Sequence, residues 1–429
     1  VLNLRSPRSR ALAFATVVLV SASAAIAGTA VSGASEPAAP SPAAAAGDAA
    51  PAERPAFRNT ASDGWPYAGT PAAQIPFDAY LGPREEYLNG GGDEAKFPTP
   101  SGGHFRIECE YSHLAYADPL KLPGVEGGSH LHTFFGNTDV DAATTPESLR
   151  DSGSSTCNGY TRSSYWVPTL FDGDGNVRIP KVLRVYYKGF NTSLGKLEPY
   201  DEGLSLFSDN STNDALDGGY SFRCQSSYFD DFTQLGATMP DCAGTTRANG
   251  GTTVLEMNVK FGNCYDGDAR DYEDNVVDPV SNWYWVDCPA SHPRPLPNLE
   301  YFVLYDVADG ESTADWYLAS DVDPMTFQVR DAGGSAHGDW MNGWAPDVNR
   351  AWIDGCANVP GADCTSGYLT DHTDTGGPAL KRRAEYTGPT RIPAADVFEQ
   401  LCRTGRTAAT PAEAAYCDPS ALMASMGHG

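Results

Sequence analysis

Two short stretches concentrate the residues able to do acid–base or metal chemistry: SHLHTFFGN, Ser129–Asn137, and HGDWMNGW, His337–Trp344. The chain has eight histidines, and His130, His132 and His337 fall in these stretches. Alternate residues of a strand point to the same side, so His130 and His132 present their rings together, within reach of one ion. Imidazole nitrogens suit borderline divalent metals, and a third ligand from elsewhere would complete an open site of the catalytic kind. His337 can supply that ligand, or pair with Asp339 across Gly338 as an acid–base couple. The candidate catalytic set is therefore His130, His132, His337 and Asp339. The first three are also candidate ligands of a divalent metal ion. Against this stands a plainer reading, in which strand-end histidines hydrogen-bond to loops while Trp340 and Trp344 pack.

Residues that could hold a substrate are more scattered. Tyr165, Trp166, Tyr186, Tyr187, Trp340 and Trp344 could stack on the C–H faces of sugar rings, core packing being the alternative. In VLRVYYK the alternation puts Arg184, Tyr186 and Lys188 on one face and Leu183, Val185 and Tyr187 on the other. The first face would suit an acidic sugar, its cations neutralising a carboxylate during a lyase-like elimination. A solvated strand face explains the same pattern.

Other motifs fail on inspection. FDGDGN, Phe171–Asn176, imitates the start of a calcium loop, but Val177 replaces the required turn glycine and Leu183 stands where the bidentate Glu belongs. A hairpin turn is expected there. RDSGSS, Arg150–Ser155, resembles a serine-protease nucleophile loop, but such a protease needs its histidine and aspartate far upstream in separate strands, whereas His130 and His132 lie only some twenty residues away. The sequence has no G-x-S-x-G elbow, H-E-x-x-H helix, P-loop or dinucleotide fingerprint.

The elements that must position these residues read as strands. SYWVPTLF, KVLRVYYKGF, GYSFRCQS, TTVLEMNVKFG, NLEYFVLYDV and ADWYLAS are short apolar-alternating runs between turn signals. They predict a mainly β fold, a β-sandwich or jelly-roll with long loops, over 57–370. IPAADVFEQLC and TPAEAAYC predict a small helical appendage in a C-terminal extension, 371–429. At the other end, three arginines, an apolar run and Ala25-Ile26-Ala27 predict a signal peptide over 1–27, followed by an Ala/Pro-rich linker over 28–56. No later run approaches a membrane span. Ten cysteines without a C-x-x-C pair predict disulfide-stapled loops in a secreted protein. Their pairing is open, Cys224 with Cys242 and Cys402 with Cys417 being guesses from proximity. The formal charge of −26 becomes −29 once the leader is removed, a field that disfavours nucleic acid.

FRIEC, ADPLKLPG, SHLHTFFGN, SSYWVPTLF, RVYYKG, MPDC, GNCYDG, CPASHP and HGDWMNGW, in that order from Phe105 onward, resemble the domain-of-unknown-function family nineteen ninety-six of secreted fungal and actinobacterial proteins. The resemblance implies an exported β-rich domain, often found beside carbohydrate-associated modules in fungi. It matches His130 and His132 to the family's paired histidines and Tyr165 and Trp166 to its Tyr-Trp. His337, Asp339, Asn342 and Trp344 match its last motif. The candidate substrate-binding set becomes Tyr165, Trp166, Arg184, Tyr186, Lys188, Asn342 and Trp344. The resemblance also implies, for many members, further histidines after an Asp-rich stretch between CYDG and the position of Cys288, where this chain has DARDYEDNVVDPVSNWYWV with none. The expected function is that of a carbohydrate-active enzyme, a hydrolase or lyase acting on an extracellular or cell-wall polysaccharide through a His/Asp centre with a divalent metal. A non-catalytic glycan- or metal-binding protein and a structural exported domain are the alternatives.

Overall fold

The computed structural model describes mainly residues 103–157, 161–189, 197–209, 219–225, 236–245, 253–269, 288–323 and 328–358, with short pieces between 58 and 76, at 276–277 and between 386 and 397. The expected leader, the linker, most of the C-terminal extension and the Cys402–Cys417 pair lie outside the described residues.

The chain is mainly β, and its centre is two five-stranded antiparallel sheets. The first contains β1 (His104–Cys109), β7 (Val182–Lys188), β9 (Gly219–Gln225), β10 (Thr253–Lys260) and β14 (Asn298–Val307), in the order β1-β7-β14-β10-β9. The second contains β2 (Tyr111–Ala115), β3 (His132–Gly136), β4 (Ser164–Pro168), β8 (Ser205–Asp209) and β16 (His337–Met341), in the order β2-β3-β4-β16-β8. Alternation decides what each face does. In β7, Leu183, Val185 and Tyr187 are fully buried between the sheets while Arg184 and Tyr186 are partly exposed on the far side.

Tyrosines carry the contact between the sheets. The hydroxyls of Tyr165 and Tyr187 lie 2.7 Å apart. Tyr301 Oη donates to the backbone oxygen of Asp339 at 2.7 Å, and Trp344 Nε1 donates to Tyr187 Oη at 3.1 Å. Each ring is worth roughly 1.5–3 kcal/mol on burial, provided its polar tip finds a partner. Close approach also explains the glycine between His337 and Asp339. A Cβ on Gly338 would lie 3.0 Å from Val259 Cγ1 and 3.2 Å from the Tyr301 ring. The motif is thus a strand with two outward polar side chains, His337 and Asp339, and an inward face that at Gly338 comes close to the other sheet while Trp340 packs into the core.

The outer face of the second sheet is covered. Ala115, Phe134, Trp166 and Met341 pack beneath Ala117 and Leu120 of the β2–β3 connection and Val140, Ala142 and Leu149 of the β3–β4 connection. The latter contains α1 (Pro146–Asp151), capped by the Thr145 hydroxyl.

Short strands complete the body. β5 (Leu170–Phe171), β6 (Val177–Arg178), β15 (Tyr317–Leu318) and β17 (Arg391–Ile392) form one small sheet, so residues of the C-terminal extension pair with the main body. β11 (Cys264–Tyr265), β12 (Val276–Val277) and β13 (Arg294–Pro295) form another. FDGDGN is the β5–β6 hairpin turn. Asp172 Oδ1 accepts from the amides of Asp174 and Asn176, and its Oδ2 pairs with Arg391 Nε at 2.7 Å. An arginine takes the place a calcium ion would have had.

Disulfides join Cys109 to Cys157, Cys224 to Cys242 and Cys264 to Cys288, and Cys356 is also disulfide-bonded. Closing the 18-residue separation of Cys224 and Cys242 stabilises by about 3 kcal/mol on the loop-entropy account. Among the described residues no helix is long and apolar enough to cross a membrane.

Candidate metal centre

β3 and β16 both border β4, so His132 and His337 stand two strand spacings apart, ~10 Å between strand axes. Both point to the outer face and lean toward each other over β4. His130, two residues before His132 at the start of β3, joins them. Ring centroids are separated by 4.3 Å for His130 and His132, 5.0 Å for His130 and His337, and 5.6 Å for His132 and His337. One ligand nitrogen from each ring lies within 4.8 Å of the other two.

Hydrogen bonds decide the tautomers. His132 Nδ1 contacts Ala117 O at 2.9 Å, and His337 Nδ1 contacts Ser335 O at 2.8 Å. A carbonyl oxygen only accepts, so both Nδ1 atoms carry the proton and both Nε2 atoms present lone pairs. Those two Nε2 atoms face each other at 3.4 Å. Neither has a proton to give the other. His130 Nε2 is likewise shielded from solvent without a partner among the described residues. Two proton-free nitrogens, of His132 and His337, therefore converge, and a ring nitrogen of His130 lies within 4.8 Å of them.

Burial holds the cluster neutral. It pushes His132 and His337 down to about 4, the neighbouring His132 adding to the effect on His337. His130 is lowered well below the ordinary value by burial and then by the other two rings. Neutral imidazole is the form that ligates metals. His132 is fully buried, His337 nearly so, and His130 half-buried, so His130 marks the side open to solvent.

Asp339, two residues past His337 on the same face, is fully buried with neither carboxyl oxygen paired among the described residues. Burial raises its pKa well above the usual carboxylate value, and the charge of Asp118 adds to this. Its cross-strand neighbour Trp166 also has an unpaired Nε1. A buried carboxyl without a hydrogen bond is costly and rare, so it needs a reason to be there.

The family model of the Domain of unknown function (DUF1996) matches residues 118–344, more than half of the chain and a span that includes every residue of this cluster. The chain belongs to this family. No curated protein and no solved structure matches it. DUF1996 thus supplies a family for the cluster but no activity.

The DUF1996 fold separates the sequence-derived candidates into three places. His130, His132, His337 and Asp339 share the outer face of the second sheet. Trp166 lies on that face too, stacked on Phe134 at 5.5 Å, but fully buried. Tyr165 and Trp344 are in the core between the sheets, hydrogen-bonded to or beside Tyr187, with no ring face open to a sugar. Asn342 shapes the turn after β16, donating to Asp201 O and accepting from Trp344 N.

Arg184, Tyr186 and Lys188 are on the outer face of the first sheet, on the far side of the sandwich from the histidines. They belong to an ion-pair layer there. Arg184 Nε pairs with Glu108 at 2.8 Å, Lys188 pairs with Glu300, and Arg106 donates to Tyr186 Oη at 3.2 Å. The two faces cannot serve one substrate-binding cleft.

Residues that sequence reading missed surround the histidines. Asp118 is buried, and its Oδ1 accepts from the amides of Leu120 and Lys121. Its charge adds to the rise of Asp339 and partly opposes the lowering of His337 by burial. Asp209 is the cross-strand partner of His337. Phe207, half-buried, has its ring 5.8 Å from His337 and 3.8 Å from Lys121 Nζ. The ADPLKLPG motif was the available signal for Asp118 and Lys121, an aspartate followed by proline being a turn former.

Proposed function

We propose that this DUF1996 protein is an exported, metal-assisted enzyme, a hydrolase or lyase acting on an extracellular or cell-wall polysaccharide, with one zinc-class divalent ion held by His130, His132 and His337. The observation that carries the reading is the pair of proton-free Nε2 atoms 3.4 Å apart, each fixed by a backbone carbonyl behind it. Two nitrogens bound at about 2.0–2.1 Å to one tetrahedral ion lie about 3.3–3.4 Å from each other. A carbonyl or carboxylate behind each ligating histidine is the usual outer support of such sites.

Held by these three histidines, an ion would supply Lewis acidity toward water or a substrate oxygen. Asp339 and Asp118 would be the carboxyl groups placed to hold or move a proton beside it. Export is supported by the leader pattern and the disulfides, and the polysaccharide by the setting that the family resemblance implies.

One observation favours a second reading, a non-catalytic metal- or glycan-binding protein: Tyr165 and Trp344 are withdrawn into the core, leaving half-buried Phe207 beside the centre. The test is metal analysis of the purified protein together with product release from a panel of polysaccharides. One equivalent of ion with turnover that disappears in both His130→Ala and His337→Ala supports the enzyme. Bound ion and glycan retention without product supports the second reading, and a protein that retains no ion sinks both metal-based forms.

A further inference from the structure

We infer that Asp321, which lies in neither histidine motif, is the positioning residue that holds His337 in its ligating orientation; this rests on the reading of the three histidines as metal ligands. Asp321 ends the short turn Ala319–Asp321 after β15 and is 3% exposed. Its carboxylate accepts four hydrogen bonds. Leu318 N and Gly333 N donate to Oδ2 at 2.8 and 2.7 Å, while Ser335 N and Ser335 Oγ donate to Oδ1 at 3.1 and 2.6 Å. Three of the four come from the segment that leads into β16.

The neighbouring Ser320 completes the grip, its hydroxyl donating to Ser335 O at 3.2 Å. Asp321 thus holds the amide and hydroxyl of Ser335, and Ser320 its carbonyl. That carbonyl is the one accepting from His337 Nδ1 at 2.8 Å. The rest of the segment is braced by Tyr220 of β9, whose Oη donates to Gly334 O at 2.8 Å, and by Met239, outside the sheet, whose N donates to Ala332 O at 2.9 Å. Gly333 sits at φ +83, and a Cβ there would lie 2.8 Å from the Phe222 ring.

Three of the four partners of Asp321 are backbone N–H groups, on both carboxylate oxygens, so a carboxylate suits the position and an amide does not. Whichever way asparagine turned, its own N–H groups would face at least one backbone N–H. The Ser335 carbonyl would then be free to shift, and with it the ring plane and tautomer of His337. Removing such outer supports weakens metal binding typically 10–100-fold.

The experiment titrates the full chain, stripped of metal, with Zn²⁺ against a chromophoric chelator and with Co²⁺ by visible absorption. Asp321→Asn should bind Zn²⁺ about 10–100-fold more weakly and change the Co²⁺ spectrum, with an unchanged circular dichroism spectrum. Tyr220→Phe removes a different brace of the same segment; it should lower stability but keep wild-type affinity, which separates positioning from general loosening. Should Asp321→Asn not fold, Ser335→Ala removes one of the four donors and should give a severalfold weakening in a folded protein. Wild-type affinity and spectrum in either folded variant overturn the inference while leaving the three-histidine site standing. A wild-type protein that binds neither ion removes the underlying reading and this inference with it.

Discussion

Acid should weaken the metal-free fold through two named rings. His132 and His337 have their pKa values held near about 4 in the folded chain, against an ordinary 6.5. In the unfolded chain they take up protons as the pH falls below about 6.5, whereas in the folded chain they resist until about 4. The unfolded state therefore binds more protons across this window, and stability falls as the pH drops through it. The span corresponds to roughly 3 kcal/mol for each ring, at 1.36 kcal/mol per pH unit. Other carboxylates contribute to acid sensitivity, and Asp339 works the other way, because its raised pKa makes its contribution favourable in acid and unfavourable as pH rises. The measurement is therefore a difference. Urea unfolding of the metal-free wild type and of His132→Gln/His337→Gln, followed from pH 7.5 to pH 4, should give curves whose separation changes by several kcal/mol, the wild type losing more. Parallel curves would refute the account of these rings as buried and neutral.

Three further outcomes follow from the same geometry. Asp339→Asn keeps the shape of a protonated carboxyl while removing the possibility of an unpaired buried charge, so it should raise the metal-free stability at neutral pH by about 1 kcal/mol or more, read by urea melts, and abolish turnover if Asp339 moves the proton. Gly338→Ala forces a methyl against Val259 and the Tyr301 ring and should cost about 1–3 kcal/mol as overpacking, checked by thermal unfolding. Arg184→Met removes the 2.8 Å partner of Glu108 but leaves Arg106 at 4.0 Å, and should cost about 1–2 kcal/mol, the worth of a hydrogen bond to a charged group, read by urea unfolding; metal content should stay at the wild-type value because that layer is on the other side of the sandwich.

Much of the framework was legible because its physics is local. KVLRVYYKGF shows a clean period of two, and β7 buries Leu183, Val185 and Tyr187 while turning Arg184 and Tyr186 outward. The failed calcium loop was readable as a hairpin from Val177 in place of the turn glycine and Leu183 in place of the bidentate Glu. Tyr165 and Trp166 were misleading for a physical reason. Both faces of the second sheet are covered, one by the first sheet and one by the β2–β3 and β3–β4 connections, so β4 is buried on both sides and adjacent aromatics carry no sign of which face they serve.

The histidines were recognisable by type and spacing, but their meeting depends on β16 lying next to β4. That pairing spans some 170 residues and leaves no local mark. Asp118 stood in the ADPLKLPG motif without a sign of its role, and Asp321 carried no signal at all, because both act through backbone groups, on Leu120 and Lys121 in one case and on Ser335 in the other. Only the fold shows which carbonyl each turn delivers to which ring.

The central claim, one ion on three imidazoles, is tested most directly by X-ray absorption spectroscopy of the zinc-loaded protein. The account predicts one tightly held ion with a first shell dominated by three histidine nitrogens at about 2.0–2.1 Å and a fourth, exchangeable light-atom ligand. His337→Ala should lose one imidazole from that shell. An oxygen-only shell, or an ion that dialyses away from the wild-type protein, would contradict it.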